Sequence, residues 1–424
     1  MIEERFEFTA KTKKNIIIFM GVGLLLTVLG VVILYFSGGH GQEEAAGDGH
    51  DFHWTKRVIV NIWINNVFYA GLSLIGIFFF ALQYAAQAGW SSGIKRIPLS
   101  FGAWLPIGFV LMLVTFLVGS HDLFHWTHHS LYDTASAEFD SIINAKKAYF
   151  FWPLDEHPSF PIFYLARLVF FFAIWYWLFI KIRKVALAED QDGGTEKWYQ
   201  LRKLSAIFIL FFAVSSSISA WDWVMSIDTH WFSTMFGWYM FASWWVSGLA
   251  LTALIVVYLK DQGYLSIVNS NHLHDLGKFI FAFSVFWTYI WFSQFLLIYY
   301  ANIPEETTYF VERMQIGSYK GLFFLNIIVN FCFPFLVLMT RDAKRHSRFL
   351  KVVAPVILVG HWLDFYLMIT PGTLTVNGGF GFIEIGLMFV FAGAFIYVVL
   401  NHISKAPLFA KNHPMLGESL HHHI

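Results

Sequence analysis

Residues 203–239 read KLSAIFILFFAVSSSISAWDWVMSIDTHWFSTMFGWY, and how they are read decides the fold. The stretch opens as an apolar run of the length that crosses a bilayer, about 20 residues. It then admits Asp222, Asp228 and His230 among the seven aromatic residues and two methionines of positions 218–239. An ionisable group inside a span is expensive and usually faces a bundle interior. Asp222 is therefore either a working group or a cap at the rim. A second apolar run begins near Trp238, so Asp228 and His230 are expected in a turn, at the rim and in water.

The whole chain repeats this pattern. Of 424 residues, 57% are hydrophobic and only 13% charged, where a soluble domain carries about 25% charge. The 48 phenylalanines and 18 tryptophans suit lipid-facing and interfacial positions. Lys plus Arg balance Asp plus Glu at 28 each, so no basic surface points to nucleic acid. The single Cys332 rules out an internal disulfide framework, a CxxCH haem attachment and a cysteine-ligated cluster. The first apolar run lacks a small-residue cleavage pattern and reads as a retained span.

Ten runs are long enough to cross a bilayer, near 16–36, 59–84, 102–124, 160–182, 203–225, 238–259, 278–300, 319–340, 349–370 and 379–400. The expected fold is all-α and polytopic. Connections rich in Lys and Arg, such as those holding Lys95, Arg96, Arg183, Lys184, Arg341 and Arg345, alternate with acidic ones, such as 38–54 and the segment holding Asp133, Glu138 and Asp140. Lys56, Arg57, Lys146 and Lys147 run against this trend. The bias still places both termini in the cytoplasm.

WDWVMSI (221–227) ends the fifth span and LDFYLMI (363–369) the ninth, which superposes Asp222 on Asp364. Both spans run outward, as equivalent helices of two four-helix bundles would. The organisation is then 1–58 with the first span and an acidic loop, bundles 59–225 and 226–370, and 371–424 with the tenth span and tail. Gly378, Gly379 and Gly381 read as the turn leading into the tenth span, after Pro371.

Polar groups collect toward the outer ends of the spans. His361 and Asp364 are three residues apart and share a helical face. Arg167, at a depth similar to Asp222, is its candidate partner. His121 and Asp122 end the third span, Glu384 lies in the outer part of the tenth, and Asn61, Asn65, Asn66, Gln294 and Asn326 lie in outer halves. This supply suits quinol oxidation, which releases two electrons and two protons. Such a site needs aromatic walls, a His or carboxylate at a hydroxyl, and acidic groups to carry protons. His361 with Asp364 also reads as a satisfied pair joining helices. Only His361 lies well inside a span, so facing axial histidines for haem are not expected. An ion-coupled transporter would show broken helices near the midplane, but Pro and Gly are few inside the spans apart from Pro106, Pro334 and Pro355.

SAWDWVMSIDTHWFSTMFGWY (219–239), HLHDLGKFIFAFSVFWTYIWFSQFLLIYYANIPEETTYF (272–310) and HWLDFYLMITPG (361–372) resemble the NrfD-like integral membrane subunits of alternative complex III, the bacterial quinol:cytochrome c oxidoreductase, and among them the smaller, quinone-binding subunit 2 type. The resemblance runs from about the second span to the tenth. It implies ten spans in two four-helix bundles in the bacterial inner membrane, with no metal or covalent cofactor and menaquinol or ubiquinol as the electron donor. It implies as partners a larger NrfD-like subunit, an extracytoplasmic iron–sulfur protein, multihaem cytochromes c and a terminal oxidase. It assigns proton transfer to Asp222, His361, Asp364 and Arg167. His121 and Asp122 resemble quinol-pocket positions, and Glu384 joins them as a candidate for that pocket or a proton exit. A scaffold with neither quinone site nor proton route is the alternative; its mark is tight packing around the same residues.

Overall fold

Each expected apolar run forms a helix, because a backbone crossing lipid must bond its own N–H and C=O groups. The computed structural model describes residues 4–37, 53–191 and 194–423. Among the described residues ten helices are long and apolar enough to cross a membrane: α1 (Ala10–Phe36), α2 (Trp54–Ala85), α3 (Arg96–Leu123), α4 (Ile162–Ala188), α5 (Glu196–Ile227), α6 (Phe236–Asp261), α7 (Ser270–Ala301), α8 (Gly317–Val337), α9 (Ser347–Asn377) and α10 (Phe382–Ile403). The chain is a multi-pass membrane protein. The acidic loop lies outside the described residues as far as Phe52.

The helices pack in two rings. In one, α2 touches α3 and α5, and α4 closes the ring between them; in the other, α6 touches α7 and α9, and α8 closes it. The rings join through α2 with α6 and α9, and α5 with α6. Exchanging the rings maps these contacts onto themselves, as a pseudo-two-fold axis does. Helix α1 lies outside on α10, which leans on α2. In α2 and α6 most of the apolar window is buried, 89% in each, against 17% in α1. A helix apolar all round at the centre packs protein, and one at the edge faces lipid.

The central contact depends on two glycines, Gly71 of α2 and Gly248 of α6, the second packed against Ile75 of α2. A Cβ on Gly71 of α2 would collide with the indole of Trp244 on α6. Gly71→Ala is therefore expected to destabilise the joined rings by about 1–3 kcal/mol, measured as a lower unfolding midpoint in detergent. An unchanged midpoint would mean that the two helices separate without cost.

Two prolines bend the pattern where the polar residues lie. Pro334 offers no N–H to the carbonyl of Asn330, and α8 relaxes into a π-helical turn over Ile328–Cys332. Pro371 does not end α9, whose span the sequence placed near 349–370. The α-helical part runs on to Leu374, for a reason that emerges with Arg313 below. Gly360 lets the π turn approach α9, since a Cβ there would strike the Asn330 side chain.

Both termini lie on one face. The Leu408 N–H donates to the Glu4 carbonyl at 3.0 Å, and the Glu4 carboxylate accepts from the Leu265 N–H at 2.7 Å in the α6–α7 connection. We call this the terminal face and the opposite one, after α1, α3, α5, α7 and α9, the far face.

Candidate functional site

Toward the far face lie the carboxylates Asp222, Asp228, Glu384 and Asp364, and three of these four face a guanidinium. Arg167 of α4 grips Asp222 of α5 through two parallel bonds, Nε at 2.8 Å and Nη2 at 2.9 Å, and donates Nη1 to the Tyr149 carbonyl. The guanidinium lies over the Tyr149 and Phe163 rings, at 4.2 and 4.6 Å. Arg57 holds Glu384 in the same forked way at 2.8 and 2.9 Å, while Asn61 and the Gly381 N–H also donate to it. Glu384 thus caps α10 and ties it to α2.

Arg313 forms the third pair and lies in the short helix Pro304–Gln315, between α7 and α8. Its Nη2 reaches Asp228 at 3.2 Å. It also donates to the carbonyls of Leu367 at 2.9 Å and Met368 at 3.0 Å. Pro371 has no N–H for Leu367, so Arg313 replaces the missing helical donor and α9 continues. Asp228 is therefore half-buried and paired rather than a rim residue in water. Gly372 leaves it room, because a Cβ there would strike its carboxylate. Burial pushes the Asp228 carboxyl above the usual range, with Arg313 opposing. His230 is exposed, as expected of a rim residue, and bonds Asp140 at 2.5 Å.

Asp364 differs from the other three. It is fully buried, yet its partners are neutral: Tyr239 Oη and Asn326 Nδ2 (2.9 Å) donate to one oxygen, and Trp287 Nε1 (2.9 Å) to the other. Asn330 in the π turn donates to Asn326 at 2.6 Å and fixes that amide's orientation. Ser243 of α6 faces Asp364 and stands 3.0 Å from His361 Nδ1, joining the two candidates in one group. His361 Nε2 has no partner among the described residues, and the ring meets the edge of Trp287 at 5.3 Å. Beside Asp364 a crevice between Tyr239, Trp291, Tyr309, Arg313 and Asn326 leaves about 20 Å³, room for a water but not for an aromatic ring.

The candidates therefore fall into separate places. Arg167 joins Asp222 in the first ring, and His361 joins Asp364 in the second. Among the described residues no side-chain hydrogen bond connects these two groups. The pairs are nonetheless equivalent: each carboxylate takes a partner from the helix before its own, Arg167 for Asp222 and Asn326 for Asp364. His121 is exposed at the end of α3, with Nδ1 3.1 Å from Thr127 Oγ1 and its ring stacked on His128 at 5.2 Å. Asp122 is half-buried near Lys56. Among the described residues no three His, Cys, Asp or Glu side chains gather as metal ligands would.

Sequence reasoning did not single out Arg313, Tyr239 or Trp287. It also passed over a buried group at the terminal face, where Lys95 lies 2.5 Å from His413 and Tyr84 donates to Glu189 at 2.8 Å. Burial lowers Lys95 and raises Glu189, each opposed by the other's charge. This group fastens the C-terminal tail.

Glu312, beside Arg313, supplies a pH dependence. Burial, then the Asp228 charge, pushes its carboxyl from 4.5 up to about 7. A raised folded-state value favours the fold fully below 4.5 and loses that contribution as pH rises through 7. Hydrogen exchange in Pro304–Gln315, corrected for its intrinsic rate, is expected to quicken from pH 5 to 8, and Glu312→Gln to flatten the change. Equal pH dependence in both proteins would contradict this.

Comparison with the models of known protein families gave no match, and comparison with curated proteins gave none. The functional assignment accordingly rests on the residues themselves.

Proposed function

We propose that the chain is a membrane subunit of a respiratory quinol:cytochrome c oxidoreductase of the alternative complex III type, and that Asp364 is its proton-exchanging group. The first part rests on the sequence resemblance, and one observation carries the second: Asp364 is a carboxylate in the core of a bundle with no ion-pair partner among the described residues. Neutral donors and a water-sized crevice surround it. A buried carboxylate kept for structure alone normally has a guanidinium or ammonium partner, as Asp222, Asp228 and Glu384 do.

In this reading Asp364 takes up a proton that quinol oxidation releases at the neighbouring site, relayed through water in the crevice, and passes it on toward the far face, past Tyr239 and Arg313. The far face is extracytoplasmic, since the terminal face carries most of the Lys and Arg. Tyr239, Asn326 and Trp287 hold the carboxyl in place and His361 stands behind it. The crevice accepts no ring, so quinol oxidation itself falls to a site shared with, or wholly in, a larger sister subunit. The remaining partners are the iron–sulfur and multihaem subunits that would carry electrons away. A scaffold role is favoured for the first ring, where Arg167 and Tyr149 satisfy Asp222.

Isolation of the chain from its native membrane in mild detergent tests the assignment. Co-purification with c-type haem and iron–sulfur absorbance and quinol:cytochrome c activity is expected. Recovery of the chain alone, with that activity in fractions lacking it, would overturn it.

A further inference from the structure

The terminal face carries a groove between the ends of α4 and α10 that none of the groups above uses. Its volume is about 590 Å³ and its floor is Ala103, in the turn that begins α3. Phe179 of α4 fills the space beside Gly102 and meets the ring of His402 on α10 at 5.8 Å.

The rim holds three cations, Arg183, Lys184 and Lys405, and the lining contains no carboxylate. Among the described residues none of the three has an ion-pair partner. Arg96, close by, is by contrast gripped by Asp190 at 2.7 and 2.8 Å. Lys184 and Lys405 are exposed and Arg183 is half-buried. Arg183 and Lys405 both lie close enough for their charges to act on His402, so they converge on one spot.

Away from the rim the walls turn apolar through Ile180, Phe179, Val398 and Tyr176. Ile180 and Tyr176 are exposed to the outside of the helix ring. From Lys184 to Tyr176 the groove follows α4 for about 12 Å. Trp177, with Lys181 Nζ 5.9 Å from its ring, marks the level where a bilayer's polar region begins. The site is thus cationic at one end and apolar at the other, with its apolar side open to lipid.

We propose that this groove binds one anionic phospholipid, its phosphate between Arg183 and Lys405 and its acyl chains along α4 and α10. Basic pockets between spans on the cytoplasmic side select anionic headgroups, while a zwitterionic lipid gains little from three unpaired cations. An inorganic phosphate would satisfy the rim but leave the apolar walls unfilled. An acidic segment of a partner would satisfy the rim as well, but the walls would then need an apolar tail on that segment.

Native mass spectrometry of the full-length chain, delipidated in detergent, tests this with phosphatidylglycerol, phosphatidylcholine and inorganic phosphate as probes. Phosphatidylglycerol is expected to be retained in preference to phosphatidylcholine. Excess phosphate should not displace it, and Arg183→Gln and Lys405→Gln should each lower its occupancy about fivefold. The same lipid should raise the unfolding midpoint of the wild-type chain but not of the double variant. Equal retention of the two lipids, displacement by phosphate, undiminished binding in the double variant, or exclusion of lipid by a partner chain in the native assembly would each overturn it.

Discussion

Asp364→Asn in the assembled complex is expected to slow quinol oxidation by about 10²-fold, the usual contribution of a positioned acid or base. The substitution keeps the size of the side chain and removes only the exchangeable carboxyl. One amide oxygen still accepts from Tyr239 and Asn326, whose bonds go to the same carboxylate oxygen. The Trp287 indole then faces an NH₂ group and loses its acceptor, at about 1–3 kcal/mol for an unpaired buried donor. Assembly should survive that loss, so turnover and subunit content are measured on the same preparation. Tyr239→Phe is the companion variant: it withdraws one donor and leaves the carboxyl, so it should lose stability and keep most turnover. Loss of activity in Tyr239→Phe with normal activity in Asp364→Asn would reverse the assignment.

Arg167→Ala has the largest expected effect on folding. It leaves the Asp222 carboxylate buried without its two forked bonds, at about 3–5 kcal/mol for a broken buried pair. Tyr149 still faces the carboxylate but carries no positive charge. Arg167→Lys should recover only part of the loss, because an ammonium cannot make the paired, planar contact. Replacing both partners by apolar residues of similar volume should cost much less than either single change. Unfolding in detergent measures the wild type, both Arg167 variants, the single apolar Asp222 variant and the double variant. Additive losses would show that the pair is not coupled. Because the first ring is read as scaffold, the apolar double variant should also retain quinol oxidation once assembled.

The ten helices were legible because a span needs little more than an unbroken apolar run. Their ends were less so. The α-helical part of α9 continues through Pro371 only because Arg313, some 50 residues earlier, supplies donors to Leu367 and Met368, and periodicity carries no trace of that. The same contact moved Asp228 out of the water in which its sequence position seemed to place it. Arg167 could be matched to Asp222 from depth alone, since two charges at one level in adjacent spans have few other partners. The likeness of WDWVMSI to LDFYLMI suggested an equivalence of Asp222 and Asp364 but not their difference. That difference depends on whether the preceding helix offers Arg167 or Asn326, on a π turn set by Pro334, and on Tyr239 and Trp287. Those two are indistinguishable in sequence from the other aromatic residues around them. The lipid groove was hidden for a similar reason: Arg183 and Lys405 looked like ordinary members of positive loops until two distant helix ends brought them together.

Infrared difference spectroscopy of the assembled complex, recorded on adding quinol, tests the central claim most directly. A carboxyl C=O band that changes with quinol and disappears in Asp364→Asn, while surviving in Asp222→Asn, is the expected result. A band that persists unchanged in Asp364→Asn would show that the proton is carried elsewhere, and that this carboxylate, cation or not, is structural.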